Sequence, residues 1–225
     1  MFDRLSLMLS KEKINEIKSK TVLLVGIGGV GGITLEMLVR AGISNIIVVD
    51  YDVFEESNLN RQILCTINNI GKYKTDEAEK RILSINPNCN IKKYNVKLNE
   101  AFLNNFNSKV DYIIDACDDL NAKVSLIKYS IKENIKIISC CGTGNKIKPE
   151  MLEISNIWKT SYDPLAKALR TRLKNEGIYN KIPVVFSKEE VLIKKSGPIP
   201  SISLVPNSAG ILLASYVIND ILKDE

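Results

Sequence analysis

A chain of 225 residues is long enough to bury one sizeable core, and 45% hydrophobic with 25% charged residues is the balance of an ordinary globular protein. The formal net charge of +5 permits a polyanionic partner without requiring one. Histidine is absent, which excludes imidazole base catalysis and His-ligated metals and leaves the chemistry to Asp, Arg, Lys, Cys or the substrate itself.

No apolar run reaches the ~18 residues needed to span a bilayer, and no basic-then-apolar leader follows Met1-Phe2-Asp3-Arg4. Five cysteines without framework spacing suggest a reducing compartment. A cytoplasmic protein with no membrane contact is expected. We read residues 1–225 as one domain: an N-terminal arm over 1–19, a nucleotide-binding core over 20–145, and a substrate-facing extension over 146–225.

In the arm, Ser10 caps a short helix to Ile17. Arg4, between Phe2 and Leu5, reads on its own as an exposed arginine. Val22-Leu23-Leu24-Val25 is a strand buried on both faces. It runs into Gly26-Ile27-Gly28-Gly29-Val30-Gly31, a G-x-G-x-x-G turn, and then a helix with Ile33, Met37, Val39 and Ala41 available for packing. A second apolar run, Ile46 to Val49, ends on Asp50. Such a βαβ unit binds an adenine nucleotide: glycines let the backbone approach a phosphate, the helix N-terminus offers free N–H groups, and the acid accepts from ribose hydroxyls. A dinucleotide oxidoreductase is the default for this pattern, and the next residues argue against it. Asp52 is followed by Ser57-Asn58-Leu59-Asn60-Arg61-Gln62, where amides can read polar edges and Arg61 offers a planar fork to phosphate oxygens. Lys74 precedes a helix from Thr75 to Ser84 with Ala78, Ile82 and Leu83 inward. A lysine there is poorly placed for the helix dipole, which favours a phosphate-facing role.

Strands are expected near Ile91–Val96, over Val110–Ile114 and over Lys136–Cys141, with helices over Glu100–Phe106 and Leu120–Lys132. Asp115, Asp118 and Asp119 end the fourth strand, on the side of the sheet where acids hold Mg²⁺ near phosphates. Asp119 suits the cap of the following helix best. In the extension, Met151–Ile154 reads as a strand, and Asp163 or Ser161 caps a helix from Pro164 to Asn175. Its Leu165, Leu169 and Leu173 line one face. Lys167, Arg170 and Lys174 line the other, which reads equally as a solvated face or an RNA-phosphate contact. Val184–Phe186 is an edge or closing strand, Gly197–Pro200 a turn, and Asn207 or Ser208 caps an apolar helix to Leu222. The fold class is α/β: a Rossmann-like, mostly parallel sheet with helices on both faces, C-terminal strands extending it and a final packing helix.

Together the G-x-G-G-x-G turn, Asp50-x-Asp52, Ser57–Gln62, a lysine thirteen positions past Arg61 and the acids near Asp118 resemble the ThiF/MoeB-type, ubiquitin-activating-like adenylating enzymes over residues 1–145. The resemblance implies ATP and Mg²⁺ as cofactors, a homodimer, and transfer of AMP to a carboxylate. By position, Gly26, Gly28, Gly29 and Gly31 cradle the nucleotide with Asp50 on its ribose, and Asp52 and Asn58 complete that site. Arg61 and Lys74 hold the triphosphate, Asp118 holds Mg²⁺, and Arg4 reaches into the neighbouring subunit's site. Thr143–Pro149, Lys159–Lys167 and Val185–Glu190 are similar to the branch that dehydrates N6-threonylcarbamoyladenosine at position 37 of tRNA, which extends the resemblance to nearly the whole chain. That branch implies tRNA as partner, pyrophosphate and AMP as products, and a cysteine desulfurase or sulfur-acceptor system nearby. The alternative within the family is adenylation of a ubiquitin-like sulfur carrier. Sulfur-carrier-activating relatives carry paired C-x-x-C motifs for zinc; none occurs here, so no zinc is expected, and adjacent Cys140 and Cys141 read as small buried hydrophobes.

Overall fold

In the computed structural model of the chain, residues 3–191, 197 and 199–223 are described; Phe2 and Pro198, the latter in the expected turn, lie outside them. Five strands run parallel in the first two thirds of the chain: β1 (Thr21–Val25), β2 (Asn45–Val49), β3 (Asn90–Tyr94), β4 (Tyr112–Asp115) and β5 (Lys136–Cys140). With β6 (Leu152–Asn156) and β7 (Pro183–Ser187) they make one sheet in the order β3-β2-β1-β4-β5-β7-β6, in which only β6 runs antiparallel.

The inner strands β1, β2, β4 and β5 are apolar over most of their length because both faces of the sheet are covered there, whereas β3, at the edge, carries Lys92 and Lys93. Val22, Leu24, Ile46, Val48 and Ile114 point into one core layer. Leu23, Val25, Ile47, Val49 and Ile113 alternate into the other. The first layer is closed by α1 (Lys11–Ser19), α2 (Gly31–Ala41), α3 (Lys74–Ile85) and α7 (Leu204–Leu222). The second is closed by α4 (Glu100–Asn104), α5 (Leu120–Lys132) and α6 (Pro164–Asn175). Burying each such side chain contributes roughly 1.5–3 kcal/mol, so the alternation fixes strand register firmly.

Caps behave as the sequence predicts at three helices: Ser10, Asp119 and Asp163 accept from backbone N–H groups of the first turns of α1, α5 and α6. Other boundaries differ. The β7 strand is interior, between β5 and β6, with Val184 and Val185 fully buried, and β6 forms the edge. Leu83 faces solvent, because Ala78 and Ile82, one turn apart, already occupy the inward face. Helix α7 begins at Leu204, ahead of the expected caps. Pro206 fits its first turn, where no N–H is needed, and Asn207 donates instead to the carbonyls of Arg61 and Ser203 at 3.0 and 2.7 Å. At Gly210 a Cβ would stand 2.4 Å from Val30 O, so this glycine lets α7 lie directly on α2.

Candidate active site

Strand order reverses beside β1, which has β2 on one side and β4 on the other, and in open α/β sheets ligands bind at the carboxyl ends of strands at such a point. A cavity of about 730 Å³ opens there. Gly26, Gly28 and Gly29 form part of its floor. Gly26 has φ +89° and a Cβ would meet Ala116 O at 2.8 Å, so only glycine turns the chain this close to β4. Gly31 lies off the lining; a Cβ there would fall 1.8 Å from Gly26 O, so it seats α2 on the turn rather than facing the cavity. Asp50, buried at the end of β2, accepts from Ile27 N–H at 2.5 Å and Asp52 N–H at 2.8 Å. Burial raises its pKa against the pull of Lys74 and those two N–H groups, and its carboxylate ties the glycine turn to β2.

Lys74 opens α3 and is itself buried, its ammonium 2.8 Å from the half-exposed carboxylate of Asp52. Arg61 rests on the Ser57 carbonyl (2.7 Å) and the Asn60 amide oxygen (3.0 Å), with no carboxylate partner among the described residues. Asn58 is spent largely on its own turn, accepting from Glu55 N–H. All four line the cavity. So does Gln62, whose buried Oε1 has no hydrogen-bond partner among the described residues.

The three acids after β4 divide the work. Asp119 caps α5. Asp115 is fully buried and paired with Lys123 of α5 at 2.9 Å; the same ammonium donates to Cys140 O at 2.7 Å. Burial opposes the charge on Lys123, yet the Asp115 carboxylate outweighs it and holds the lysine protonated. Asp118 alone is exposed, lines the cavity and has no ion-pair partner among the described residues.

The opposite wall belongs to the extension: Gly142–Lys146 after β5, and Asp163–Leu165 at the start of α6. Asp163 is its hub, accepting from Ala166 N–H and Gly142 N–H, both at 2.9 Å, and from the buried Lys146 ammonium at 3.4 Å. Glu189 accepts from the N–H groups of Ile147 and Lys148 and fixes the end of that loop. Pro200 O accepts from Asn145 N–H, and Ser201 O from the Asn60 amide, so residues 200–201 tie the loop after β5 to the segment that carries Arg61.

The sequence misses Lys123, Lys146 and Glu189 because each is held by groups that its neighbours along the chain do not reveal: Asp115, Asp163 and the backbone N–H groups of Ile147 and Lys148. The available signal was Lys123 standing among Ala122, Val124, Leu126 and Ile127 on an inward face. Arg170 leaves the expected basic face: its guanidinium donates to Thr160 and to the Ile157 carbonyl. Arg4, at the head of a short 3-10 turn, is exposed and away from this cavity. Cys140 and Cys141 are buried as expected. Burial pushes the Cys140 thiol up to about 12, the Cys89 thiol up to about 11, and those of Cys117 and Cys141 well above the ordinary range.

Fold and cavity define a Rossmann-like nucleotide-binding protein with a second wall, built by residues after β5, facing the nucleotide side. The ThiF family model matches residues 2–219, and the chain belongs to the ThiF family. It is 34% identical to the tRNA threonylcarbamoyladenosine dehydratase of Bacillus subtilis (strain 168), over 99% of this chain and 95% of that protein. The structure of Escherichia coli tRNA N6-threonylcarbamoyladenosine dehydratase in complex with ATP superposes with a TM-score of 0.93 at 28% identity, covering 98% of this chain and 93% of that one. The same protein in complex with AMP gives 0.91 at 28% identity, over 96% and 92%.

Proposed function

We propose that this chain is an ATP-dependent tRNA threonylcarbamoyladenosine dehydratase. The observation that carries the reading is a single cavity walled on one side by the glycine turn, Asp50, Arg61 and Lys74, and on the other by Gly142–Lys146 and Asp163–Leu165. The second wall comes from the extension, and the similarity to the dehydratases runs through it to the end of the chain. In this reading the substrate's carboxylate attacks the α-phosphorus of ATP and pyrophosphate leaves. The substrate's carbamoyl group then closes onto the activated carbon and expels AMP, with net loss of water. Because the substrate brings its own nucleophile, a site without histidine suffices; the protein positions the groups and neutralises developing phosphate charge.

Asp50 then takes the ribose, and Gly26–Gly29 lie against the phosphates. Arg61 and Lys74 give up their present partners for the triphosphate, and Asn58 and Asp52 keep that corner in shape. The unpartnered Gln62 Oε1 is an acceptor ready for a donor on the nucleotide. Asp118 supplies one free carboxylate, which suits Mg²⁺, an ion that usually takes one or two carboxylates and fills the remaining positions with water and phosphate oxygens. We read the active form as a cytoplasmic homodimer. Leu7 and Met8 of the arm are exposed, as are Leu59, Ile63, Leu204 and Ile211 around a groove beside α7, and a second copy would cover them. Arg4 would then reach the partner's cavity. The five cysteines with raised pKa values weigh against a thiolate relay in this chain.

The test is direct. With ATP, Mg²⁺ and tRNA bearing threonylcarbamoyladenosine, AMP should form in step with loss of one water from the nucleoside. AMP formation that needs a small protein carrier and ignores tRNA would refute the reading. The basic face is narrower than the sequence suggests: with Arg170 engaged, Lys167 and Lys174 remain exposed without a carboxylate partner among the described residues. Replacing both by alanine should weaken tRNA binding and flatten the slope of log affinity against log salt by roughly 0.7–0.9 per lost phosphate contact. An unchanged slope would make that face ordinary solvated surface.

A further inference from the structure

Tyr162 is one of three non-glycine residues with positive φ among the described residues, at +55°. An L-residue pays to enter the left-handed region, and Gly or Asn would do so more cheaply. The neighbouring structure explains why the chain is forced there. Asp163 is 97% buried by its tie to Gly142, Lys146 and Ala166, and Pro164 fixes the next turn, so the chain must reverse just before them. Nothing in the fold repays a tyrosine at that reversal. The residue is 60% exposed, and its side chain has no hydrogen-bond, ring or cation partner among the described residues. Strain that persists only because its surroundings over-determine it points to use at a functional site.

The surroundings point to what uses it. Tyr162 directly precedes Asp163–Leu165, the extension's wall of the cavity. Lys159 and Lys167 flank it, both exposed and without a carboxylate partner among the described residues. Residues 146–188 hold nine Lys and Arg against four Asp and Glu, so this stretch alone accounts for the chain's formal +5. An exposed ring with two such lysines three residues before and five residues after it, next along the chain to a cavity wall, is the combination that holds single-stranded RNA: bases stack on the ring and phosphates meet the cations. An adenosine that enters the cavity must leave its stack, which strips one face of the neighbouring base.

We infer that Tyr162 is a stacking platform for the base next to the modified adenosine, presented rigidly at the cavity mouth by the Asp163 hub. The inference rests on the tRNA dehydratase reading and names its RNA contact. The backbone strain makes it testable against a structural role. Affinity for tRNA bearing threonylcarbamoyladenosine, measured without ATP, should fall about ten-fold in Tyr162→Ala and stay within about two-fold of wild type in Tyr162→Phe, since stacking needs the ring and not the hydroxyl. Tyr162→Gly should lose tRNA affinity like the alanine variant while its melting temperature rises, because glycine relieves the strain. ATP affinity should be unchanged in all three. With an anticodon stem–loop RNA made abasic beside the modified adenosine, wild type and Tyr162→Ala should bind alike. Wild-type affinity in Tyr162→Ala, a Phe variant as weak as the Ala variant, or an alanine penalty that survives the abasic RNA would each overturn the inference and leave the dehydratase reading standing. A wild-type protein that does not bind tRNA would overturn both.

Discussion

Lys123→Met is expected to cost about 3–5 kcal/mol of folding stability, measured by chemical denaturation at neutral pH. The ammonium is fully buried and holds three groups at once: Asp115 at 2.9 Å, Ser139 Oγ at 3.3 Å and Cys140 O at 2.7 Å. Methionine fills much of the same volume, so the loss reports an uncompensated carboxylate rather than a cavity. The sign of the pH dependence follows. In the wild type the lysine's pKa is raised, so its contribution is fully present below the ordinary lysine pKa and disappears only as pH rises through the raised value. Adding Asp115→Asn should recover part of the loss, so that the double variant costs less than the two singles together. A single-variant loss below about 1 kcal/mol would mean that water reaches Asp115, and the pair would then be no more than an ordinary surface bridge.

The location of that pair also explains which parts of this protein could be read from its sequence. Strand runs such as Leu23–Val25 and Ile46–Val49 were legible because burial on both faces leaves continuous apolar stretches, and the turn at Gly26 because only glycine tolerates its φ and its closeness to Ala116. Asp50, Arg61, Lys74 and Asp118 could be gathered as one site through the resemblance their motifs carry, and the topology does bring them to one cavity at the carboxyl end of the sheet. Their present partners could not. Nothing local shows that Lys74 pairs with Asp52, twenty-two residues earlier, or that Arg170 bends back to Thr160 rather than joining Lys167 and Lys174. Helical spacing places a side chain on a face but does not reveal what waits opposite it. The same limit hid Asp163: its cap on α6 is local and was read, whereas its grip on Gly142 and Lys146 spans the two halves of the extension's wall.

Arg61→Ala should lower the rate of AMP formation by about 10²–10³, the usual effect of removing one preorganised donor to a developing oxyanion. Its stability should move by less than about 0.5 kcal/mol, since its carbonyl partners at Ser57 and Asn60 lie where water can replace the guanidinium. The drop should be in kcat and in kcat/KM for ATP together, because the charge that Arg61 meets grows as pyrophosphate departs and is weaker in the bound ground state. Lys74→Ala should lose activity to a similar extent but with a different stability signature. Its ammonium is buried and tied to Asp52, yet Asp52 is half-exposed and rehydrates once the lysine is gone, which limits the loss of that pair to about 0–1 kcal/mol. The two variants therefore separate chemistry from architecture: equal kinetic damage, unequal but small thermodynamic damage. Near-normal turnover in Arg61→Ala would mean that the guanidinium only braces Ser57 and Asn60, and that the triphosphate lies elsewhere in the cavity. A Lys74→Ala protein that raises KM for ATP with kcat intact would show that the lysine binds ground state and transition state equally, and so contributes affinity rather than rate.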